Sequence, residues 1–331
     1  MIKYAFIIFS LIAFPAICLS QQQTAYYLNL EGGVTFNKDS AATIRIVTAP
    51  ENSKDLLTVA DYYKSGKKKR LYKSTALYPI KIHGALLSFY EDGRRHTIEN
   101  YVYGRNTGAL YEYYHNGQLY NRKEYPLPAD PKAKASADNK PTIDFNYTIP
   151  EAYDSLGKAT VVDGNGIFTI YTEDFIDIAE QGALKGGKRD GIWKGHDQAM
   201  GLTFEEKYAD GVLVSGSSFH DGITTTYATN RDVPAKFVGG DAAFSRFLAK
   251  QIRYPAPDRD RRVQGTVVLS FDIEKDGSLS NMRVVQNVSP TLDAESLRVL
   301  RTSPNWQPAT KFGLPVKVSY NVPIAFGIGV M

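Results

Sequence analysis

Five histidines, a single cysteine and a scatter of carboxylates are the groups in this 331-residue chain from which a reactive centre could be built. His83, His96, His115, His196 and His220 belong to no HExxH unit. None makes an i, i+4 pair with another histidine or with the cysteine, the spacing that turns two side chains onto one metal. They read as surface or turn residues. "DGNG" (163–166) has oxygen ligands, but an EF-hand loop places them at alternate positions and closes with a glutamate, and Glu173 is badly placed for that. Turn chemistry accounts for it better. "GGVTF" and "GGK" lack the Walker spacing. No nucleophile, base and orienting group can be assembled, so the chain reads as a non-enzyme with no catalytic residue, no metal site and no cofactor.

The main chain near the C-terminus offers a different chemistry. In "VKVSYNVPIAF" (316–326), Val316, Val318, Tyr320, Val322, Ile324 and Phe326 take every second position, with Lys317, Ser319 and Asn321 between them. Period two is a strand with one apolar and one wet face. Pro323 lies inside it, and proline has no N–H to give a ladder. The stretch is either a plain core strand or a sheet edge awaiting a partner.

The elements around it form one unit from Phe237 onward. In "GGDAAFSRFLAKQIRYP", Phe244, Phe247, Leu248 and Ile252 recur at i, i+3, i+4 and i+8, the buried face of a helix. Asp241 is expected to cap it and Tyr254-Pro255 to close it. "GTVVLSFDIEKDGSLSNMRVVQNV" (265–288) is a hairpin turning at Asp276-Gly277, and "SPTLDAESLRVLRTS" (289–303) is a second helix with Pro290 in its first turn. The expected fold is an α+β C-terminal domain, order α-β-β-α-β with an antiparallel sheet, over 237–331.

That segment resembles the C-terminal domain of the TonB energy-transducer family. The resemblance rests on "RYP" (253–255), "GTVVLSFDIEKDGSL" (265–279), "VSPTLDAESLRVL" (288–300), "WQPA" (306–309), "GLPVKVSY" (313–320) and "VPIAF" (322–326), in the family's order. It implies a binding module in the periplasm of a double-membraned bacterium. Its partners would be outer-membrane TonB-dependent receptors, whose extended box peptide adds as a strand to the last strand. The docking rail is then Val316, Lys317, Val318, Ser319, Tyr320, Asn321 and Val322. The family's Q-P-x-Y-P stretch maps onto Gln251, Arg253, Tyr254 and Pro255, with Ile252 in place of the first proline. A full transducer also has a membrane anchor that engages inner-membrane motor proteins, and a long Pro-rich rod. Here the Pro-rich piece is 17 residues, at most about 60 Å when extended.

The preceding region repeats. "HGALLSFYEDG" (83–93) and "TGALYEYYHNG" (107–117) match at an offset of 24, each a strand, a Gly turn and a strand. Asp-Gly and Asn-Gly suggest type I′ hairpins. A related stretch is "DYYKSGKKKRLY" (61–72), and degenerate copies follow at 163–175 and 186–211. The units, with "KRDGIW" (188–193), resemble secreted bacterial MORN-type repeats. The resemblance implies small hairpins stacked into an elongated sheet. The expected organisation is a hairpin region over 21–125, a flexible linker over 126–142 ("PLPADPKAKASADNKPT"), hairpins again over 143–223, and a connection over 224–236. Of paired tyrosines such as Tyr62-Tyr63 and Tyr113-Tyr114, one is expected to pack and the other to shield. "KKKR" (67–70) reads as a solvated turn.

The N-terminus reads as a targeting segment. Lys3 precedes an uncharged, mostly apolar run from Tyr4 to Leu19, and a cut after Ser20 fits a secretory signal over 1–20. The alternative is an uncleaved anchor, which would make the protein membrane-associated. Cys18 is the sole cysteine, so a chain cut after Ser20 has no disulfide. Composition is globular, 43% hydrophobic and 22% charged. Net charge is +4, too small for a nucleic-acid footprint. A second function class stays open: an envelope scaffold or signalling protein whose hairpins bind a protein partner.

Overall fold

The computed structural model describes residues 22–52, 55–128 and 147–328. The targeting segment 1–20 and most of the 126–142 linker lie outside the described residues. Two compact units divide the chain, residues 1–164 and 165–331.

The first unit is an antiparallel succession of β1 (Gln23–Leu28), β2 (Val34–Thr35), β3 (Thr43–Thr48), β4 (Leu57–Tyr62), β5 (Lys68–Ser74), β6 (Ile82–Phe89), β7 (Arg95–Val102), β8 (Arg105–Asn106), β9 (Gly108–Tyr113), β10 (Leu119–Tyr125), β11 (Thr148–Tyr153) and β12 (Ala159–Val162). From β3 onward each long strand pairs with the next, β7 reaching β9 past the short β8. Val47, Val59, Tyr72 and Leu86 from four adjacent strands form a buried row. Asp61 is wholly buried beside them and held by Arg45 at 2.8 Å and Arg70 at 2.6 Å.

The turns differ from expectation in an instructive way. At Asp92-Gly93 and Asn116-Gly117 only the glycine has positive φ. Tyr90 N donates to Arg94 O while Gly93 N donates to Tyr90 O, and Tyr114, Gln118 and Gly117 repeat the pattern. These are three-residue loops with a left-handed glycine closing a type I turn, not two-residue I′ turns. Asp92 and Asn116 each accept from the amide two residues on, which favours this form. The same geometry recurs at Tyr63–Lys67 and Asp154–Lys158. It lets each turn-opening tyrosine reach the next repeat. Tyr63 donates to Phe89 O (2.8 Å), Tyr90 to Tyr113 O (2.5 Å) and Tyr114 to Tyr153 O (2.9 Å). Each acceptor carbonyl belongs to the residue just before the next turn.

In the second unit, β13 (Asn165–Tyr171), β14 (Ile178–Lys185), β15 (Lys188–Asp197), β16 (Leu202–Ala209), β17 (Val212–His220) and β18 (Ile223–Tyr227) form a meander. Here true I′ turns occur: Asp210 and Gly211, then Asp221 and Gly222, all have positive φ. Three cross-strand pairs set a ring over a glycine: Gly182 with Trp193, Gly195 with Phe204, and Gly216 with Tyr227. A Cβ on any of these glycines would lie 2.3–2.5 Å from the ring. The sheet surface at these glycines is thus covered by aromatic rings from the neighbouring strand.

The chain continues through β19 (Asp232–Val233), α1 (Gly240–Gln251), α2 (Ala256–Asp260), β20 (Gly265–Ile273), β21 (Leu279–Gln286), α3 (Pro290–Arg301), β22 (Ala309–Lys311), β23 (Leu314–Val316) and β24 (Val318–Phe326). The α-β-β-α-β skeleton is present with additions. α2 follows Pro255, and a small sheet β19-β22-β23 stands beside the main sheet β21-β20-β24. Gly239, in the left-handed region, occupies the N-cap of α1, and Asp241 lies in the first turn instead. α1 ends at Gln251, earlier than Tyr254-Pro255 would stop it, because Ile252 already turns extended. Val267, Leu269, Phe271, Ile273, Leu292 and Leu300 are fully buried between sheet and helices. Each such side chain contributes about 1.5–3 kcal/mol. Trp306 is central: Phe237, Phe244, Phe271 and Tyr320 surround it at 5.1–5.6 Å.

Candidate functional site

β24 pairs with β20 in continuous antiparallel register, from Ile273 opposite Val318 to Gly265 opposite Phe326. It is the last strand of its sheet, and among the described residues no strand pairs with its other edge. Its side chains alternate: Val322, Ile324 and Phe326 are buried and Val318 and Tyr320 half-buried, while Ser319, Asn321, Pro323 and Ala325 are exposed. Apolar burial fixes the register, since a slip of one residue would turn every core side chain to water. The backbone edge is left available.

The sequence suggested one strand from Val316 to Phe326. The structure breaks it at Lys317. Val316 belongs to β23 and lies opposite Ala309 in the small sheet, so only Val318 to Val322 of the expected rail lie on β24. The chain passes there from one sheet to another: Val316 pairs with Ala309 in the small sheet and Val318 with Ile273 of β20. Between them Lys317 Nζ pairs with Asp272 of β20 (3.1 Å) and with Glu274, just past its end (2.7 Å). Asp272 also accepts from Ser319 Oγ (2.6 Å) and Asn281 Nδ2 (2.7 Å). Hydrogen bonds from Ser319, Asn281 and Lys317 hold its carboxyl at about 2, well below the usual carboxylate range. Lys317 is raised, chiefly by its hydrogen bond to Glu274. Replacing Lys317 with alanine is expected to return the Asp272 carboxyl towards its ordinary value, as read by a carboxyl carbon NMR titration; an unmoved titration would show that Ser319 and Asn281 suffice.

Gln251, Arg253, Tyr254 and Pro255 form a second group, bound mainly to α3. Arg298 Nη2 donates to Gln251 O (2.8 Å), and Arg253 N donates to Glu295 Oε1 (2.7 Å). Pro255 caps α2. Tyr254 donates its hydroxyl to Val263 O, and its ring meets Phe326 edge-on at 5.6 Å. The two groups therefore approach at the C-terminal end of β24, about 13 Å beyond Val322 by strand rise. The rail and the 251–255 segment are neighbours, not one pocket.

A further set of residues went unseen in the sequence. The β22–β23 hairpin, which leads into β24, is seated on the meander β13–β18. Phe312 stacks on Phe204 at 4.8 Å; its N–H donates to Arg231 O (2.8 Å) and its carbonyl accepts from Ser218 Oγ (2.8 Å). Lys311 pairs with Asp197 at 2.5 Å. Arg231 lies over Phe204 and Phe312 and bridges Glu180 (2.6 Å) and Glu206 (2.5 Å). Glu206 is buried and also accepts from Tyr208 and Tyr227. Burial pushes both glutamates up, but the bonds and charge of Arg231 outweigh it, and both lie below their ordinary value. A cleft of about 350 Å³ opens beside this cluster; its cations Arg231 and Lys311 are already committed to carboxylates. The residues involved span 180 to 312, and no local period links them. Among the described residues no group of His, Cys, Asp and Glu is arranged to hold a metal, and no helix is long and apolar enough to cross a membrane.

No curated protein matches the chain. Among solved structures it is similar to the TonB C-terminal domain of Helicobacter pylori, determined in solution by NMR, with 24% identity over 26% of this chain and 78% of that chain and a TM-score of 0.22. Residues 250–328, which contain α2, α3, the main sheet and the open edge of β24, match the family model of the Gram-negative bacterial TonB protein C-terminal domain.

Proposed function

We propose that this protein is a TonB-like periplasmic protein whose terminal domain binds extended segments of outer-membrane transporters by strand addition, in support of transport across the envelope. The observation that carries the reading is the edge of β24, paired on one side and exposed on the other, within the segment that matches the TonB C-terminal model. Main-chain hydrogen bonds along an open edge give affinity, and alternate side-chain positions give selectivity. Tyr254, packed on Phe326, lies beyond the rail at the C-terminal end of β24. The hairpin repeats, similar in sequence to MORN-type units, serve as a stiff spacer in place of a long Pro-rich rod.

The test is a titration of the full chain with N-terminal peptides of TonB-dependent receptors, followed by backbone amide shifts. Perturbation is expected along Val318 to Val322. A response confined to the hairpin region would replace this reading with that of an envelope scaffold. Coupling to inner-membrane motor proteins requires that residues 1–20 persist as an anchor. N-terminal sequencing of the protein from the envelope decides this: a start at Gln21 excludes direct coupling, and an intact Lys3 supports it.

A further inference from the structure

We propose that Pro323 sets both the phase and the usable length of the docking edge, so that the partner is a short extended segment bonded over about five residues. The proposal rests on the strand-addition reading above. It begins with a parity constraint. In an antiparallel ladder, successive residues turn their N–H and C=O alternately towards one neighbour and the other. Pro323 stands in the ladder opposite Val268, in a register without a shift from Val318 to Phe326. A proline fits there only where its nitrogen faces away from the partner strand. Pro323 therefore faces the open edge. By the same alternation Ser319, Asn321 and Ala325 also direct their amides outward, whereas Val318, Tyr320, Val322 and Ile324 are bonded to β20.

The open edge thus presents N–H donors at Ser319 and Asn321, then a gap at Pro323, and one isolated donor at Ala325. An incoming strand finds both a donor and an acceptor at Ser319 and at Asn321, the outward-facing residues of the stretch Val318 to Val322. Its next carbonyl, opposite Pro323, meets no N–H and must stay in water. Upstream the rail stops at Lys317, because Val316 has left for the small sheet and Lys317 is tied to Asp272 and Glu274. The edge is bounded on both sides, by a proline and by a redirected chain. The same gap disfavours pairing of β24 with a second copy of itself, since any long overlap brings two prolines into the new ladder.

Hydrogen exchange on the full chain tests the phase without any ligand. Fast exchange at Ser319, Asn321 and Ala325, with Val318, Tyr320, Val322 and Ile324 protected at least about a hundredfold more, is the expected pattern. The reverse pattern overturns the assignment. Length is tested with receptor N-terminal peptides cut to four to nine residues. Affinity for the natural chain should level off at about five residues. With Pro323→Val, peptides of seven or more should gain about three- to tenfold, the worth of one added backbone hydrogen bond. The amide introduced at position 323 should exchange fast in the free chain and become protected with peptide. Affinity that keeps rising beyond five residues in the natural chain, or equal gains absent in the variant, would overturn the length limit. If no peptide perturbs β24 in either chain, strand addition itself fails, while the ligand-free exchange pattern still decides the phase.

Discussion

Replacing Glu206 with leucine is expected to lower the stability of the full chain by about 3–5 kcal/mol. The loss should appear in urea unfolding of the second unit. Glu206 is buried and receives Arg231, Tyr208 and Tyr227 together. Its removal leaves a mostly buried guanidinium with Glu180 alone, which costs more than the ion pair contributes. The disturbance should travel in a definite direction. Arg231 supports Phe312, Phe312 anchors the β22–β23 hairpin, and that hairpin ends one residue before β24. Faster hydrogen exchange is therefore expected at 309–316 before the core strand β20 responds. Uniform loss of protection across the unit would show instead that the cluster is no separate seat.

The same cluster sets a pH dependence. Glu180 and Glu206 are both depressed, so the unfolded chain binds more protons than the folded one as the medium turns acid. Their contribution is complete above the ordinary glutamate value of about 4.3 and drains away as pH falls through their lower folded values. Glu206→Gln should flatten this limb of the stability curve.

The second large effect concerns Gly182 and Trp193. Trp193→Ala is expected to cost about 3–5 kcal/mol, as for other fully buried large rings. Gly182→Ala should also destabilise, by about 1–3 kcal/mol, although glycine is usually the poorer strand residue. A Cβ there would lie 2.3 Å from the indole. The ring cannot retreat, because its Nε1 donates to Ala183 O at 2.9 Å and Arg189 covers it at 4.1 Å. The two changes should not add: with the ring gone, the alanine at 182 meets little and the double variant should resemble Trp193→Ala. Additive losses in a thermal unfolding cycle would mean that Gly182 is needed for some other reason.

Much of this was open to reading in the sequence. The period-two apolar pattern at 316–326 announced a strand with one core face, of which β24 keeps Val318–Phe326, and Pro323 spoke for an edge, because each follows from what a single residue type can do in a ladder. Phe244, Phe247 and Leu248 likewise announced the inner face of α1. Turn form was less legible. Asp-Gly at 92 and at 210 is the same dipeptide, yet only the second has both residues at positive φ. The choice depends on strand register and on side-chain bonds such as Asp92 to the Arg94 amide.

Sequence alone determined the alternation of apolar and polar residues, the glycine positions where left-handed turns form, the hairpin repeat and the order of the terminal domain's main elements. These depend on neighbours within a few residues, where sterics and burial act locally. The tertiary structure decided that Val316 leaves the rail, that Tyr254 meets the far end of β24 beyond it, and that Glu180, Glu206, Arg231 and Phe312 converge to seat the hairpin that leads into β24. Those contacts draw together residues from as far apart as positions 180 and 312, and a carboxylate's role there follows from which cation burial leaves beside it, a fact no local pattern carries.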